Sequence, residues 1–270
     1  MHDSWMAVIL GIVEGLTEFL PVSSTGHLLV AEKLLGLDDT SWHAFTVVIQ
    51  LGAILSVVVV YWQKLWGALV GLPSEPAARR FAATVLIAFL PSAILGALLI
   101  KKINNVLLNP SHAMPVIATT WLLGGILILI LERIAPKPVY TQSDNLPVWK
   151  SLQIGLCQCL ALLPGVSRSG ATILGAELLR VERKTAAEFT FYLAVPTMLG
   201  ASVFELYKEG AKLTRHDEML IAIGFVVSFF VAYGVVKTFI AFIGRYGLKP
   251  FGWYRIAAAL ALFGYIALTR

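Results

Sequence analysis

An all-α polytopic membrane protein is the fold class this sequence predicts. Its expected form is an inverted-topology repeat, with six spanning helices plus two re-entrant helical hairpins meeting near the midplane. Three observations predict it. Of 270 residues, 58% are hydrophobic and only 14% are charged, with a mean hydropathy of +0.79, whereas soluble domains run near a quarter charged. The apolar runs come in two lengths, one long enough to cross a bilayer and one about half that. The second half of the chain repeats the pattern of the first. No stretch is polar enough for a separate soluble domain. Residues 1–270 therefore read as a single integral membrane domain, with one repeat over about 1–131 and the other over about 150–270.

The elements follow in order. Trp5 to Leu20 is apolar but short, roughly 24 Å at 1.5 Å per residue, carries Glu14 and Glu18, and ends at Pro21. Leu28 to Leu35 is a second short run. Joined by P-V-S-S-T-G, the two read as a re-entrant hairpin, because irregular backbone at membrane depth is tolerated only inside protein or beside a water-filled cavity. Three runs of spanning length follow: His43 to Trp62, Ala83 to Ile100 and Ala113 to Leu131. The connection P-S-E-P-A-A-R-R between the first two reads as a charged turn, and Glu132 to Trp149 is the polar midpoint of the chain. Ser151 to Leu163 is short again, stops at Pro164-Gly165, and is followed by V-S-R-S-G-A-T and a short run to Leu179. Ala187 to Tyr207, Met219 to Phe242 and Phe251 to Leu268 complete the spans. No cleavable signal peptide is expected, since the first segment lacks a basic start and a small-residue cleavage site.

A shift of 144 residues aligns the halves: Gly11 falls on Gly155, Glu14 on Gln158, and Val22-Ser23-Ser24-Thr25-Gly26 on Val166-Ser167-Arg168-Ser169-Gly170. Three spans between the hairpins is an odd number, so the second hairpin enters from the opposite side and the two polar turns can meet. Counting Lys and Arg by loop gives eleven on one side and seven on the other. The richer side is expected to be cytoplasmic, with both termini and the mouth of the first hairpin outside. The net charge of +5 belongs to these loops and is not a nucleic-acid footprint. Cys157 and Cys159, spaced C-x-C with no second pair, read as small buried apolar residues rather than a zinc site or a disulfide.

The candidate functional residues cluster in the two turns. Glu14 and Glu18, at i and i+4, share one helix face. Two acids in a poorly solvated place suit proton transfer or a cation, and otherwise serve as structural hydrogen-bonding groups. Ser23, Ser24, Thr25 and Gly26 lie where a helix begins; they either cap it or supply a nucleophile and anion ligands beside exposed N–H groups. His27, within one turn, suits acid–base or phosphate contact. Arg168 is the strongest marker, because an intramembrane guanidinium needs an anion. Either it neutralises a glutamate or it clamps a phosphate, together with Ser167, Ser169, Gly170 and Thr172. Gln50, mid-span, is a further polar group expected to face the site. Acids, hydroxyls, an imidazole and an arginine together suit phosphoryl transfer on a lipid with a phosphate head.

At these residues the chain resembles the undecaprenyl-diphosphate phosphatases, the bacitracin-resistance family. The acidic motif E-x-x-x-E stands here as Glu14 to Glu18, the P-V-S-S-T-G-H motif as Pro21 to His27, and P-G-x-S-R-S-x-x-T as Pro164 to Thr172. The resemblance runs along essentially the whole chain. It implies an integral enzyme of the bacterial plasma membrane with its site facing the outer side. Such an enzyme hydrolyses undecaprenyl diphosphate to undecaprenyl phosphate and inorganic phosphate, recycling the lipid carrier of peptidoglycan synthesis and conferring bacitracin resistance. It further implies a divalent cation such as Mg²⁺ or Ca²⁺, with Glu14 and Glu18 as its ligands, no organic cofactor, and a polyprenyl diphosphate as partner. A homodimer stands open at this stage. The reading from a different class is a transporter that flips a lipid phosphate, since broken helices at the midplane are also a carrier pattern.

Overall fold

The computed structural model describes residues 2–37, 40–109, 112–209 and 214–269. Among them all regular structure is helical, and extended pairing is limited to an isolated bridge between Tyr140 and Val181. The helices are α1 (His2–Thr17), α2 (Ser24–Leu35), α3 (Thr40–Val60), α4 (Trp62–Gly71), α5 (Pro76–Leu107), α6 (Ala113–Ile134), α7 (Val148–Gln158), α8 (Arg168–Leu178), α9 (Arg183–Glu209), α10 (Arg215–Tyr246) and α11 (Lys249–Thr269), with short 3₁₀ turns at Ser143–Asn145 and Cys159–Leu162.

Five segments are long and apolar enough to cross a membrane: Pro76–Leu107, Ala113–Ile134, Arg183–Phe204, Arg215–Tyr246 and Lys249–Thr269. The sixth expected span, His43 to Trp62, is α3 itself, Thr40–Val60. The chain leaves α3 at Tyr61, and α4 turns away from it by 79°. Trp62 and Trp66 stack at 5.2 Å on α4, and with Leu69 and Val70 they stay exposed. A short helix rich in exposed tryptophan suits the plane of the bilayer surface. Pro76 to Arg80, expected in a charged turn, instead opens α5; a proline in the first helical turn loses no hydrogen bond and has its φ preset. Cys157 and Cys159 are free thiols, half-buried rather than fully buried.

α3 packs against α9 and α10, α1 lies along α10, α5 holds α7 and α9, and α6 pairs with α11. The contacts at the helix ends sort into two groups. Asp3 and His216, at the starts of α1 and α10, meet at 3.0 Å. At the other end Arg183 joins Glu132 at 3.0 Å and Glu177 at 2.5 Å, Glu132 accepts from the Leu248 N–H, and Lys64 pairs with Asp144.

Packing follows membrane rules, with large apolar chains outward and small or hydroxyl residues between helices. Leu98, Phe230 and Trp253 are exposed, while Ser56, Ser202 and Ser228 are fully buried. The Ser228 hydroxyl donates to the Ile49 carbonyl at 3.0 Å, and Ser202 donates to Val47 at 3.1 Å, fixing α3 against both neighbours. A Cβ added at Gly15 would stand 2.7 Å from Cβ of Val231 and 2.8 Å from the Ser228 carbonyl, so α1 seats its backbone directly on α10. Gly155 on α7 meets the backbone of Ala88 on α5 in the same way.

This packing predicts opposite outcomes for two glycines. Gly15→Ala should force α1 off α10 and destabilise by about 1–3 kcal/mol through overpacking. Gly234→Ala, with open space around it, should be neutral or stabilise by about 0.5–1 kcal/mol through helix propensity. Thermal unfolding of the two variants in detergent checks both signs.

Candidate active site

Each short helix pair turns where its sequence breaks. The α1–α2 turn is closed by the Val22 N–H donating to Leu20 at 2.8 Å and passes through Ser23, whose φ of +74° is rare for a residue with a side chain. The Ser23 hydroxyl accepts from the Gly26 N–H, and at the start of α8 the Ser167 hydroxyl accepts from Gly170. The two capping serines stand in the positions that the 144-residue shift equates.

The turns touch. Ser169 donates to the Leu20 carbonyl at 2.8 Å and Ser167 to the same oxygen at 3.3 Å, while the two hydroxyls lie 2.9 Å apart. Across this contact Arg168 Nη2 meets Glu18 Oε1 at 3.3 Å, with both side chains largely buried. The other carboxylate oxygen of Glu18 accepts the hydroxyl of Ser24 in a close hydrogen bond. Arg168 also donates to the Thr190 carbonyl at 3.3 Å, and its Nε has no hydrogen-bond partner among the described residues. An arginine, a carboxylate and a hydroxyl are thus linked side by side across two hairpins.

They line a cavity of about 160 Å³. Glu18, Ser23, Ser24 and Thr25 come from the first turn, Ser167 and Arg168 from the second, Gln50 from α3, and Thr197, Met198 and Ala201 from α9. The first turns of α2 and α8 both begin at this cavity, where helix N-termini offer free N–H donors and a positive dipole end.

The remaining predicted residues lie around it. Glu14 is fully buried one turn before Glu18, and neither of its carboxylate oxygens has a hydrogen-bond partner among the described residues. Ser169, Gly170 and Thr172 are buried behind the wall, Thr172 accepting from Thr190 at 2.9 Å. Gly26 sits under the indole of Trp121, where a Cβ would approach Nε1 to 2.7 Å. His27 turns away from the cavity wall. Its Nδ1 lies 2.7 Å from the Ser23 carbonyl and its Nε2 2.7 Å from the Tyr254 hydroxyl, and the ring packs against Trp121 and Tyr254. A carbonyl can only accept, so in the neutral ring Nδ1 carries the proton and Nε2 accepts from Tyr254.

Sequence reasoning missed Thr197 and Met198, which sit in an apolar run just after Pro196 inside α9. It also missed Arg255, although an arginine within an apolar span carries the same warning as Arg168.

Fold and site together define a polytopic membrane protein with a small polar cavity suited to an anionic head group. Residues 7–261 match the family described as bacitracin resistance protein BacA. The chain is 48% identical over 270 residues to an undecaprenyl-diphosphatase of Rhodopseudomonas palustris (strain BisB18), covering all of this chain and 98% of that one. It is 50% identical to one of Novosphingobium aromaticivorans, covering 97% of each chain, and 47% identical to one of Caulobacter sp. (strain K31) over the full length of both. The chain belongs to the bacitracin resistance protein BacA family.

The shared acceptor at Leu20 yields a stability prediction. Ser169→Ala or Ser167→Ala alone should cost about 1 kcal/mol, because the other hydroxyl still ties the two turns through that carbonyl. The double variant removes both side-chain ties between the turns and leaves that carbonyl with the Val22 N–H alone, so its loss should exceed the sum of the singles. Thermal melts of all three variants measure the coupling.

Proposed function

We propose that the chain hydrolyses undecaprenyl diphosphate to undecaprenyl phosphate and inorganic phosphate, recycling the lipid carrier for peptidoglycan synthesis and so conferring bacitracin resistance. The observation that carries the chemistry is the Ser24–Glu18–Arg168 constellation, a hydroxyl on a base beside a guanidinium. The full-length relatives named undecaprenyl-diphosphatase supply the substrate.

Arg168 binds the terminal phosphate, exchanging its contact with Glu18 for phosphate oxygens and presenting its partnerless Nε. The first N–H groups of α2 and α8 add donors. Glu18 takes the Ser24 proton as Oγ forms a bond to the terminal phosphorus. The bond from that phosphorus to the bridging oxygen breaks, and its electron pair leaves with undecaprenyl phosphate. Water then attacks the phosphoserine, releasing inorganic phosphate and restoring the Ser24 hydroxyl. Arg168 and the helix termini hold the charge that builds on the phosphoryl oxygens. Gln50, Ser23, Thr25 and Thr197 border the head group. His27, gripped by Tyr254, orients the Ser23–Ser24 turn through the Ser23 carbonyl.

A divalent cation fits this donor set in one form. Among the described residues no group of three or more His, Cys, Asp or Glu is placed to cage a metal. Glu14, however, has two partnerless buried oxygens next to Glu18, and Mg²⁺ commonly uses one or two carboxylates plus substrate phosphates. Glu14 and Glu18 would hold it, and it would supply neutralising charge for the diphosphate.

The two hairpins are re-entrant in this reading, and the halves form an inverted repeat. Three features support that reading: the matching serine caps, the odd number of spans between hairpins, and the seating of α1 on α10 while α7 sits on α5. Placement in the bacterial plasma membrane follows the likeness to the bacterial undecaprenyl-diphosphatases, and the opening of the site to the outer side rests on the loop charges.

Purified protein in detergent should release inorganic phosphate from undecaprenyl diphosphate, a result that a flippase without phosphatase chemistry would not give. Ser24→Ala, Glu18→Gln and Arg168→Ala should each lower kcat/KM by at least about 10³-fold. Near-full activity of Ser24→Ala would replace the phosphoserine with direct attack by water, and unchanged turnover by Arg168→Ala would remove the site assignment.

A further inference from the structure

Arg255 lies outside the cavity lining, yet it touches both turns that build it. It is 3% exposed and stands in the second turn of α11, just ahead of the apolar run from Ile256 to Leu268. Among the described residues its guanidinium meets backbone carbonyls alone. Nη1 donates to Pro21 at 3.4 Å, Nη2 to Thr120 at 2.9 Å and to Gly165 at 3.0 Å, and Nε to Trp121 at 3.4 Å. Pro21 is the break of the first hairpin and Gly165, with φ +80°, the break of the second. The carbonyls at 120 and 121 belong to α6, so one side chain ties three separate segments together.

The surroundings are shaped for this group. A Cβ at Gly124 would stand 2.7 Å from the Arg255 Cζ, so only glycine leaves room for the guanidinium against α6. Burying a cation at membrane depth without an anion is expensive. Four carbonyl dipoles offset that cost only because the planar fork reaches several directions at once, which an ammonium does not do. The preceding residue, Tyr254, holds His27 on the same turn.

We propose that Arg255 is a positioning residue: it sets the first hairpin turn against the second so that Ser24 and Glu18 stand opposite Arg168. The proposal rests on the phosphatase reading of the cavity. Catalytic groups carried by two separate turns stay aligned only if something fixes the turns to each other, and a displacement of about 1 Å can cost 10²-fold in rate. The Leu20 carbonyl contacts hold the turns on one side, and Arg255 holds them on the other.

The test compares Arg255→Lys and Arg255→Met with the parent chain, each taken as the monodisperse fraction in detergent and assayed well below its melting temperature. Arg255→Met should retain helical content and lose about 100-fold in kcat; Arg255→Lys, which reaches fewer carbonyls, should fall between. A second readout is geometric. A Cβ at Gly170 would stand 3.4 Å from that of Pro21, close to the Cβ separation of a disulfide. Pro21→Cys with Gly170→Cys, in a Cys157→Ser, Cys159→Ser background, should therefore cross-link readily, and the yield should drop when Arg255→Met is added. A kcat within threefold of the parent in folded Arg255→Lys and Arg255→Met, or an unchanged cross-link yield, overturns the proposal. If Arg255→Met does not fold, Arg255→Lys with the full parental kcat overturns it alone. If the parent releases no phosphate, the phosphatase reading fails, and the cross-link comparison still decides whether Arg255 sets the turns.

Discussion

The bond between Arg168 and Glu18 is the contact to which the rest of the architecture answers. A guanidinium and a carboxylate are both costly to bury in a bilayer, and among the described residues the ion pair each makes is with the other, across the two hairpins. Each is affordable only where the other arrives from a distant part of the chain, 150 residues away. Broken helices, glycine-lined contacts and serine caps all serve that meeting. The glycines of α1 and α7 let the short helices sit deep against α10 and α5, and the serine caps start α2 and α8 at the same cavity.

The pair is also a poised arrangement rather than a settled one. Glu18 is shared between Arg168 and Ser24, and Arg168 keeps an unused donor at Nε. In the proposed mechanism a phosphate entering the cavity would offer Arg168 a better acceptor and leave Glu18 free to take the Ser24 proton. Glu14, fully buried behind Glu18 with no hydrogen-bond partner among the described residues, is the least satisfied group in the site.

Much of this was legible in the sequence because membrane composition makes polar residues conspicuous. The spacing of Glu14 and Glu18, the S-S-T-G and S-R-S-G turns and the lone arginine stand out from apolar surroundings, and the structure brings Glu18, Ser24 and Arg168 to one cavity. What was not legible has physical reasons. Hydropathy sees where lipid contact ends, not where a helix ends, so α5 runs seven residues past Ile100 to Leu107. Composition does not reveal a bend such as the one at Tyr61. Thr197 and Met198 read as ordinary span residues, and only the packing of α9 turns them to the cavity. His27 sits beside the hydroxyl cluster in sequence, but a helix turn directs its ring to Tyr254 and Trp121 instead.

A structure of the protein bound to a non-hydrolysable undecaprenyl methylenebisphosphonate tests the central claim most directly, namely that the two turns form one phosphate site around the Arg168–Glu18 contact. The account predicts the terminal phosphonate between Arg168 and Ser24 Oγ, with the Arg168–Glu18 distance lengthened beyond hydrogen bonding. A head group bound elsewhere, with Arg168 still on Glu18 and Ser24 untouched, would contradict it.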